Sequence, residues 1–330
     1  MKRAICVASV ELDLGAPHRG CAAGPRALRD AGLFDALAAL GHPVVAHHEI
    51  RQDAAAGPGS DPRARHLDAI AAVCARLADV VEAAARSGRF PLILGGDHAL
   101  AVGSVAGLVR HARSHGQELG LIWLDAHPDM NTPETSPSGN VHGMPLAALL
   151  GHGPPALTQL AGRGPALAPA VAPERVAILG VREIDRDEAR LVAETGVRVF
   201  DRAELARRGV EVCVAEALDR LRGATAGIHL SLDLDACDPA VAPGVTTPVP
   251  GGLERREALA ICAQLGRSGR LAGVDLVELD PARDAGHRTC ELAVRLVAAA
   301  LAADPSPRFA GPGSPGSLDH RSHHHELPGS

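Results

Sequence analysis

Aromatic side chains are scarce in this sequence of 330 residues, which contains no tyrosine, one tryptophan and four phenylalanines. Single-stranded nucleic acids are commonly bound by stacking their bases on aromatic side chains, so this composition argues against that kind of binding. The net charge of −6 also argues against a general binder of nucleic acid or of anionic membranes. Because apolar residues still make up 46% of the chain, the core must be built from Ala, Val, Leu and Ile.

Long apolar runs and paired cysteines are missing as well. No run reaches the roughly 18 apolar residues of a membrane span, and we expect none. Acidic residues interrupt the N-terminal stretch before it forms the apolar part of a signal peptide. The seven cysteines are scattered without any CxxC pair. An odd number without framework spacing indicates reduced thiols, so we expect a cytoplasmic protein.

Short apolar runs alternate along the chain with longer Ala- and Leu-rich stretches. Eight runs are candidate strands, at residues 4–9, 43–46, 91–94, 120–124, 175–180, 197–200, 227–232 and 272–277. Helical patterns lie at residues 64–87, 99–113, 187–194, 212–222, 254–266 and 290–303. Buried strands that alternate with helices are typical of a parallel sheet with right-handed crossovers. The sequence therefore predicts an α/β fold.

No linker separates two independently patterned halves, so we predict one domain over residues 1–303. Within it, the Pro- and Gly-rich residues 153–174 predict a surface loop. Residues 304–330 are rich in Pro, Gly, Ser and His and contain few apolar side chains. That composition predicts a disordered tail.

Metal-ligand side chains follow several predicted strands, at the strand ends where open α/β sheets bind ligands. They are His98 in PLILGGDH, Asp125, His127 and Asp129 in LIWLDAHPDMN, Asp233 and Asp235 in HLSLDLDACDP, with Glu278 in GVDLVELDP as a further acid. A spacing of two residues directs such side chains to one side of an extended chain. Either carboxylate pair alone could equally be a solvated loop or a helix cap. Both pairs together with His98 give six candidate ligands at one edge of the sheet.

So much negative charge in a partly buried place is costly unless cations neutralise it. Four carboxylates and two imidazoles, without a thiolate, suit hard to borderline divalent cations such as Mn²⁺. Six residues supply too few donors for two separate sites, which implies that some carboxylates bridge two cations. Two cations about 3.5–4 Å apart can lower the pKa of a water between them and hold the resulting hydroxide for attack. The sequence therefore predicts a hydrolytic centre with two metal ions.

These motifs resemble those of the arginase, or ureohydrolase, family. GGDH at 95–98, DAHPDMN at 125–131, SLDLDACDP at 231–239 and the Glu of VELDP occur in the family's order. The resemblance runs from about Gly15 to Leu301. It implies a three-layer α/β/α fold around a parallel sheet of about eight strands, and a homo-oligomer, either a trimer or a hexamer.

The resemblance also implies the ligands of two Mn²⁺ ions. The first ion would be bound by His98, Asp125, Asp129 and Asp233, and the second by Asp125, His127, Asp233 and Asp235. Asp125 and Asp233 would then bridge the two ions. A hydroxide between the ions would attack the guanidinium carbon of L-arginine, which gives urea and L-ornithine.

Three residues would take part directly in this chemistry. By the resemblance, Asp129 would assist proton transfer to the leaving nitrogen. Glu278 would pair with the guanidinium, a planar cation that suits a carboxylate. His142, in SGNVHG, would shuttle protons, a role that fits an imidazole pKa near 6.5.

Residues 129–143, DMNTPETSPSGNVHG, resemble the segment with which arginases bind the amino-acid end of the substrate. By this resemblance the α-carboxylate would be bound by Asn131, Ser136 and Ser138. Asp185 would bind the α-amino group, with Asn140 and Glu188 nearby and Thr247 as a further substrate contact. Agmatine lacks the carboxylate and needs no such donors, so the segment favours L-arginine.

Three positions depart from the family's pattern and bear on specificity. Ala99 replaces a usual Ser, Glu183 replaces a usual Asp, and the β-branched Thr246 stands where Gly is common. One alternative is a sibling ureohydrolase that acts on agmatine, guanidinobutyrate or another guanidino acid. A deacetylase-like hydrolase would use one metal, whereas both ligand pairs are intact here. An inactive scaffold is the third alternative, and no ligand position is lost that would support it.

Overall fold

Eight strands form one sheet in which all paired strands are parallel. The computed structural model describes residues 2–53, 57, 59–162 and 169–302. The strands are β1 (Ile5–Glu11), β2 (Val44–Arg51), β3 (Phe90–Leu94), β4 (Leu119–Leu124), β5 (Val176–Leu179), β6 (Arg198–Phe200), β7 (Gly227–Asp233) and β8 (Leu271–Val277). Each overlaps a predicted run, which confirms the predicted parallel sheet, although β2 continues five residues beyond the predicted 43–46. The tail predicted at 304–330 lies outside the described residues.

The order of the strands brings distant parts of the chain together at the centre of the sheet. The order is β2-β1-β3-β8-β7-β4-β5-β6. In the register of the central strands, Leu232 of β7 pairs with Leu124 of β4 on one side and Leu276 of β8 on the other. Parallel strands end at the same edge, so the residues after these three positions lie side by side.

Helices connect the strands, and all six predicted helical patterns are found. The α-helices of the described residues are α1 (Gly24–Asp30), α2 (Leu33–Ala39), α3 (Leu67–Arg86), α4 (Ala101–Ser114), α5 (Pro145–Leu149), α6 (Pro155–Thr158), α7 (Arg186–Thr195), α8 (Arg202–Arg208), α9 (Val210–Arg220), α10 (Arg255–Arg267) and α11 (Arg288–Leu301). The sequence analysis missed α1, α2, α5, α6 and α8. Each has at most seven residues, too few for a clear helical period. The prediction of a surface loop over residues 153–174 is wrong for Pro155–Thr158, which form α6. Residues 163–168 of the predicted loop lie outside the described part of the chain.

The two faces of the sheet pack against separate helical layers. Along β1, Ala8 and Val10 belong to one apolar core, whereas Ile5 and Val7 belong to the other. This alternation is that of a strand buried on both faces. The first core includes side chains of α3 and α4, and the second includes those of α10 and α11. The protein therefore has the expected three-layer α/β/α architecture.

The scarce side chains have defined places in this fold. Trp123, the one tryptophan, is fully buried on β4. All seven cysteines are buried and free of disulfide bonds, as expected from their spacing. None of the helices in the described part of the chain has both the length and the apolar character needed to cross a bilayer.

Candidate metal centre and substrate cleft

The predicted ligands lie together at the carboxyl ends of the central strands. Asp125 directly follows β4, and Asp233 is the last residue of the neighbouring β7. His98 follows β3 after a short turn, and Glu278 directly follows β8. The strand order thus brings side chains from four separate segments to one edge of the sheet.

The glycine pair before Asp97 allows the turn after β3 to approach the chain closely. A Cβ atom on Gly96 would lie only 1.7 Å from the carbonyl oxygen of Leu12, so no larger residue fits. The backbone N–H of Asp97 donates to that carbonyl at 2.8 Å, and the N–H of Glu278 donates to the Gly96 carbonyl at 2.8 Å. These bonds hold the turn beside the end of β8 and so fix the position of His98.

One buried imidazole nitrogen faces three carboxylates. His98 Nδ1 lies 3.0 Å from Asp125 Oδ2, 3.0 Å from Asp129 Oδ2 and 3.1 Å from Asp233 Oδ2. His98, Asp125 and Asp233 offer ligand atoms that all lie within 4.8 Å of one another. Among the described residues, His98 Nδ1 has no partner with hydrogen-bond geometry. A buried nitrogen without a partner, surrounded by carboxylate oxygens, fits a site for a cation.

A second group of ligand atoms adjoins the first through a shared carboxylate. His127 Nδ1 lies 3.1 Å from Asp235 Oδ2 and 3.4 Å from Asp125 Oδ1. Asp125, His127 and Asp235 also offer ligand atoms within 4.8 Å of one another. Because Asp125 belongs to both groups, the arrangement suits two cations with a bridging carboxylate.

The electrostatics of these carboxylates support the same conclusion. Burial, with the added charges of Asp235 and Asp125, raises the pKa of Asp233 well above its usual range. Burial, followed by the charge of Asp125, raises the pKa of Asp129 to about 6. The side chains therefore resist ionising together unless positive charge neutralises them. This oxygen- and imidazole-rich donor set fits a pair of hard or borderline divalent cations.

Two acids of the site have strained backbone conformations. Asp129 has φ 53° and Glu278 has φ 66°, two of the four positive values found outside glycine in the described residues. Side chains rarely adopt this left-handed region, which costs roughly 1–2 kcal/mol per residue. Surrounding contacts must hold such residues in place, and they cluster at functional sites.

The two carboxylate oxygens of Glu278 differ in their hydrogen bonding. Its Oε1 accepts from the backbone N–H of His98 at 2.8 Å and contacts His142 Nδ1 at 3.0 Å. Burial alone would raise the pKa of Glu278, but the neighbouring His142 holds it below the usual value. Oε2 is buried and has no hydrogen-bond partner within the part of the chain that the structure describes. This carboxylate is therefore suited to accept hydrogen bonds from a cationic ligand.

The remaining predicted side chains line the cleft that leads to the ligand cluster. The lining includes Asn131, Ser136, Ser138, Asn140, His142, Asp185, Glu188 and Thr247, together with His127, Asp129, Asp233 and Asp235. Asn131 Nδ2 donates to Asp185 Oδ2 at 2.9 Å, which joins two separate segments of the rim. The cleft thus has carboxylates and imidazoles at its base and hydroxyl, amide and carboxylate groups at its rim.

Comparison with known proteins decides the family. Residues 3–303 match the sequence profile of the Arginase family. The arginase of Bacillus caldovelox is 41% identical over 301 residues, which cover 89% of this chain and 96% of that protein. The arginase of Bacillus subtilis is 40% identical over 308 residues, which cover 91% and 98%. The chain belongs to the arginase family.

Solved arginase structures share the fold. The native Bacillus caldovelox arginase at pH 5.6 has a TM-score of 0.85 at 40% identity, covering 91% of this chain and 98% of that one. An Entamoeba histolytica arginase in complex with L-ornithine has a TM-score of 0.81 at 27% identity, with the same coverage. Membership of the arginase family makes this chain a metal-dependent amidinohydrolase.

The three departures from the arginase pattern can be located in the structure. The longer Glu183 places its Oε2 3.6 Å from Nε2 of His127, so it still approaches this candidate ligand. Thr246 is buried and has no positive φ, so its backbone does not require glycine. Its hydroxyl lies near Glu278 and Cys21 without hydrogen-bond geometry to either. Ala99 is fully buried and donates its backbone N–H to Asp97 at 3.0 Å.

Two residues predicted to contact substrate also support other parts of this arginase-family site. Both carboxylate oxygens of Glu188 accept backbone N–H groups, from Met130 at 2.8 Å and from Asp185 at 3.2 Å. The hydroxyl of Thr247 donates to Asp235 Oδ2 at 3.1 Å. Their contact with substrate stays a prediction, whereas these bonds show how they hold the site together.

The sequence analysis missed two residues that orient the candidate metal ligands His98 and Asp125 through ring stacking and hydrogen bonds. Trp123 stacks on the His98 ring with centroids 4.1 Å apart, and its Nε1 donates to Asp125 Oδ2 at 2.9 Å. Ser231 Oγ lies 2.9 Å from His98 Nε2. Trp123 lies two residues before Asp125, and Ser231 lies two residues before Asp233. Because alternate residues of a strand share a face, this spacing could have identified them as neighbours of the ligands.

Proposed function

We propose that this arginase-family protein hydrolyses L-arginine to L-ornithine and urea. The observation that carries the proposal is a cleft with a polar rim that is also lined by His127, Asp233 and Asp235 of the two-cation ligand cluster. His142 lines the same cleft and contacts Glu278, the carboxylate with a free oxygen. These features match the carbon of the guanidinium group, the N–H groups of the guanidinium and the α-amino acid group of arginine.

We propose two Mn²⁺ ions as the cations. The ligands would be His98, Asp125, Asp129 and Asp233 for one ion, and Asp125, His127, Asp233 and Asp235 for the other. When bound, the two ions would supply an activated water at neutral pH and stabilise negative charge developing on the substrate. The chain contributes the shared Asp125 and the His98 ring, whose Nδ1 is left free for this purpose.

Next to His142, which lines the cleft, Glu278 would orient the guanidinium. Its buried Oε2 is free to accept an N–H bond from the substrate, and a planar guanidinium suits a carboxylate. His142 would move protons between the cleft and solvent, since its side chain is 15% exposed and touches Glu278. Asp129 lines the same cleft and would assist proton transfer to the leaving nitrogen.

At the rim, hydroxyl and amide donors would bind the α-carboxylate. Ser136 Oγ accepts from the Gly139 N–H at 2.9 Å, and Ser138 Oγ accepts from the Asn140 N–H at 3.2 Å. Each hydroxyl oxygen is thereby held in place by the backbone. The two hydroxyls lie 3.5 Å apart, so one can donate to the other while the second O–H remains a donor for the cleft. Asp185 would receive the α-ammonium group, and its Oδ2 is oriented by Asn131.

The direct test is urea release from the Mn²⁺-loaded protein with L-arginine, agmatine and 4-guanidinobutyrate in parallel. We expect urea from L-arginine, and we expect Asp185→Ala to raise its KM strongly while metal content stays constant. Efficient urea release from agmatine instead would show a sibling ureohydrolase and overturn the assignment of the rim. Absence of urea from all three would reject the proposed reaction.

We further propose that residues 1–303 form a single catalytic domain and that the protein is a cytoplasmic homo-oligomer, either a trimer or a hexamer. Family membership and the seven buried, unpaired thiols support this proposal. Light scattering coupled to size exclusion would give the mass of the full chain and of a version ending at residue 303. A monomeric full chain, or an inactive shortened chain, would contradict it.

A further inference from the structure

An arginine that belongs to none of the motifs lies behind the rim of the cleft. Arg65 precedes α3, and its backbone N–H donates to the carbonyl of Gly139 at 3.0 Å. Gly139 has φ 69°, and a Cβ atom there would lie 2.1 Å from the carbonyl oxygen of Pro62. The two segments are therefore packed backbone to backbone, which fixes Arg65 against the residues of the rim.

The side chain of Arg65 determines which way the Asn140 amide points. Its Nη2 donates to Asn140 Oδ1. A guanidinium has only donors, so the amide atom that faces it must be the carbonyl oxygen. Asn140 lines the cleft and is only 9% exposed. Its Nδ2 group, on the other side of the amide, is thereby left as a donor, and Ser136 and Ser138 line the same cleft.

Arg65 carries a kind of charge, that of an arginine or lysine, which none of the described side chains lining the cleft carries. The described residues that line the cleft include six Asp and Glu side chains but no Lys or Arg. Three of them, Asp129, Asp233 and Asp235, are proposed metal ligands, and bound ions would neutralise their charge. The other three, Glu183, Asp185 and Glu188, disfavour a carboxylate ligand unless a positive charge lies nearby. Arg65 is partly buried directly behind Asn140, where the surrounding protein screens its charge less than bulk water would.

We propose that Arg65 is a positioning residue that sets specificity for substrates with an α-carboxylate. It holds the Asn140 amide with its Oδ1 away from the cleft, and it supplies a positive charge behind the rim that offsets the lining carboxylates that bind no metal. This inference rests on the proposed hydrolysis of L-arginine. It assigns the recognition of the carboxylate partly to a residue 75 positions away from Asn140 in the chain.

The test compares Arg65→Met with the matched control Arg63→Met in the Mn²⁺-loaded protein. Arg63 lies on the same segment, but its side chain is exposed and hydrogen-bonds to Asp61. KM and kcat are measured with L-arginine, and agmatine, which lacks the carboxylate, is measured as a competitive inhibitor. We expect Arg65→Met to raise KM about 10- to 100-fold, the usual scale for a lost charge-assisted hydrogen bond.

The other readouts separate positioning from general damage. We expect kcat and the agmatine inhibition constant to stay within threefold, Arg63→Met to match the wild type, and Arg65→Lys to recover part of KM by keeping the charge. Asn140→Asp replaces the amide donor with a carboxylate acceptor and should raise KM to a similar extent. It provides the test if Arg65→Met does not fold.

Two kinds of failure are distinguishable. No urea from L-arginine with the wild-type protein would remove the proposed function and this inference with it. Urea from the wild type combined with an unchanged KM in Arg65→Met, an equal effect of Arg63→Met, or a parallel loss of kcat and agmatine binding would overturn the role of Arg65 alone.

Discussion

Ser231 offers a sharp test of how the metal centre is held. His98 Nε2 lies 2.9 Å from Ser231 Oγ, and that hydroxyl lies 3.4 Å from Asp275 Oδ2. All three side chains are essentially inaccessible to solvent. The imidazole N–H donates to the hydroxyl, and the hydroxyl donates to the carboxylate, so the His98 tautomer with a free Nδ1 is selected.

We predict that Ser231→Ala weakens Mn²⁺ binding about 10- to 100-fold, the usual effect of removing a hydrogen bond to a ligating histidine. This corresponds to about 1.4–2.7 kcal/mol, within the range for leaving a buried donor unpaired. The loss arises because the His98 ring is no longer fixed and its Nδ1 becomes less basic. Affinity is measured by titrating metal-free protein with Mn²⁺ in competition with a chelator of known affinity.

Ser104→Ala is the matched control. Ser104 is equally buried and donates to the same Asp275 Oδ2 at 2.6 Å, but it forms no hydrogen bond with His98. We expect this variant to unfold at a lower temperature while its Mn²⁺ affinity stays within twofold of the wild type. Equal losses of affinity in the two variants, or an unchanged affinity in Ser231→Ala, would refute the reasoning.

Three further predictions concern other parts of the protein. Asp233→Ala should lose bound metal and urea release together, and a variant that keeps both would contradict its role as a ligand. His142→Asn should keep its metal but lower kcat about 10²- to 10⁴-fold, the scale of general acid–base catalysis; full activity at every pH would exclude the shuttle. Hydrogen bonds from Arg198 and Arg208 lower the pKa of Glu204 to about 2. Its stabilisation is therefore present above pH 4.5 and lost as pH falls toward 2. Glu204→Gln should lower the melting temperature at pH 7 but not at pH 2, and equal shifts at both would contradict this.

Much of the fold could be predicted because its signals are local. Six of the eight strands are almost completely buried apolar runs, so their pattern stands out between helices. The edge strand β2, with the sequence VVAHHEIR, is mostly exposed, and only its apolar start was predicted. Convergence of Asp125 and Asp233 follows from the same pattern, because parallel strands all end at one edge. The short helices α1, α2, α5, α6 and α8 escaped prediction because so few residues show no helical period.

By itself, the sequence determined the architecture, the candidate ligands and the family resemblance, since each depends on residue types at fixed spacings along the chain. Only the tertiary structure decided which side chains form hydrogen bonds that position the residues of the metal centre and the cleft. Arg65 meets Asn140 across 75 residues, and Ser231 meets Asp275 across 44. Such contacts form between side chains of different segments and leave no periodic pattern in either one. The physical reason is that strand order and register, rather than local spacing, set these distances.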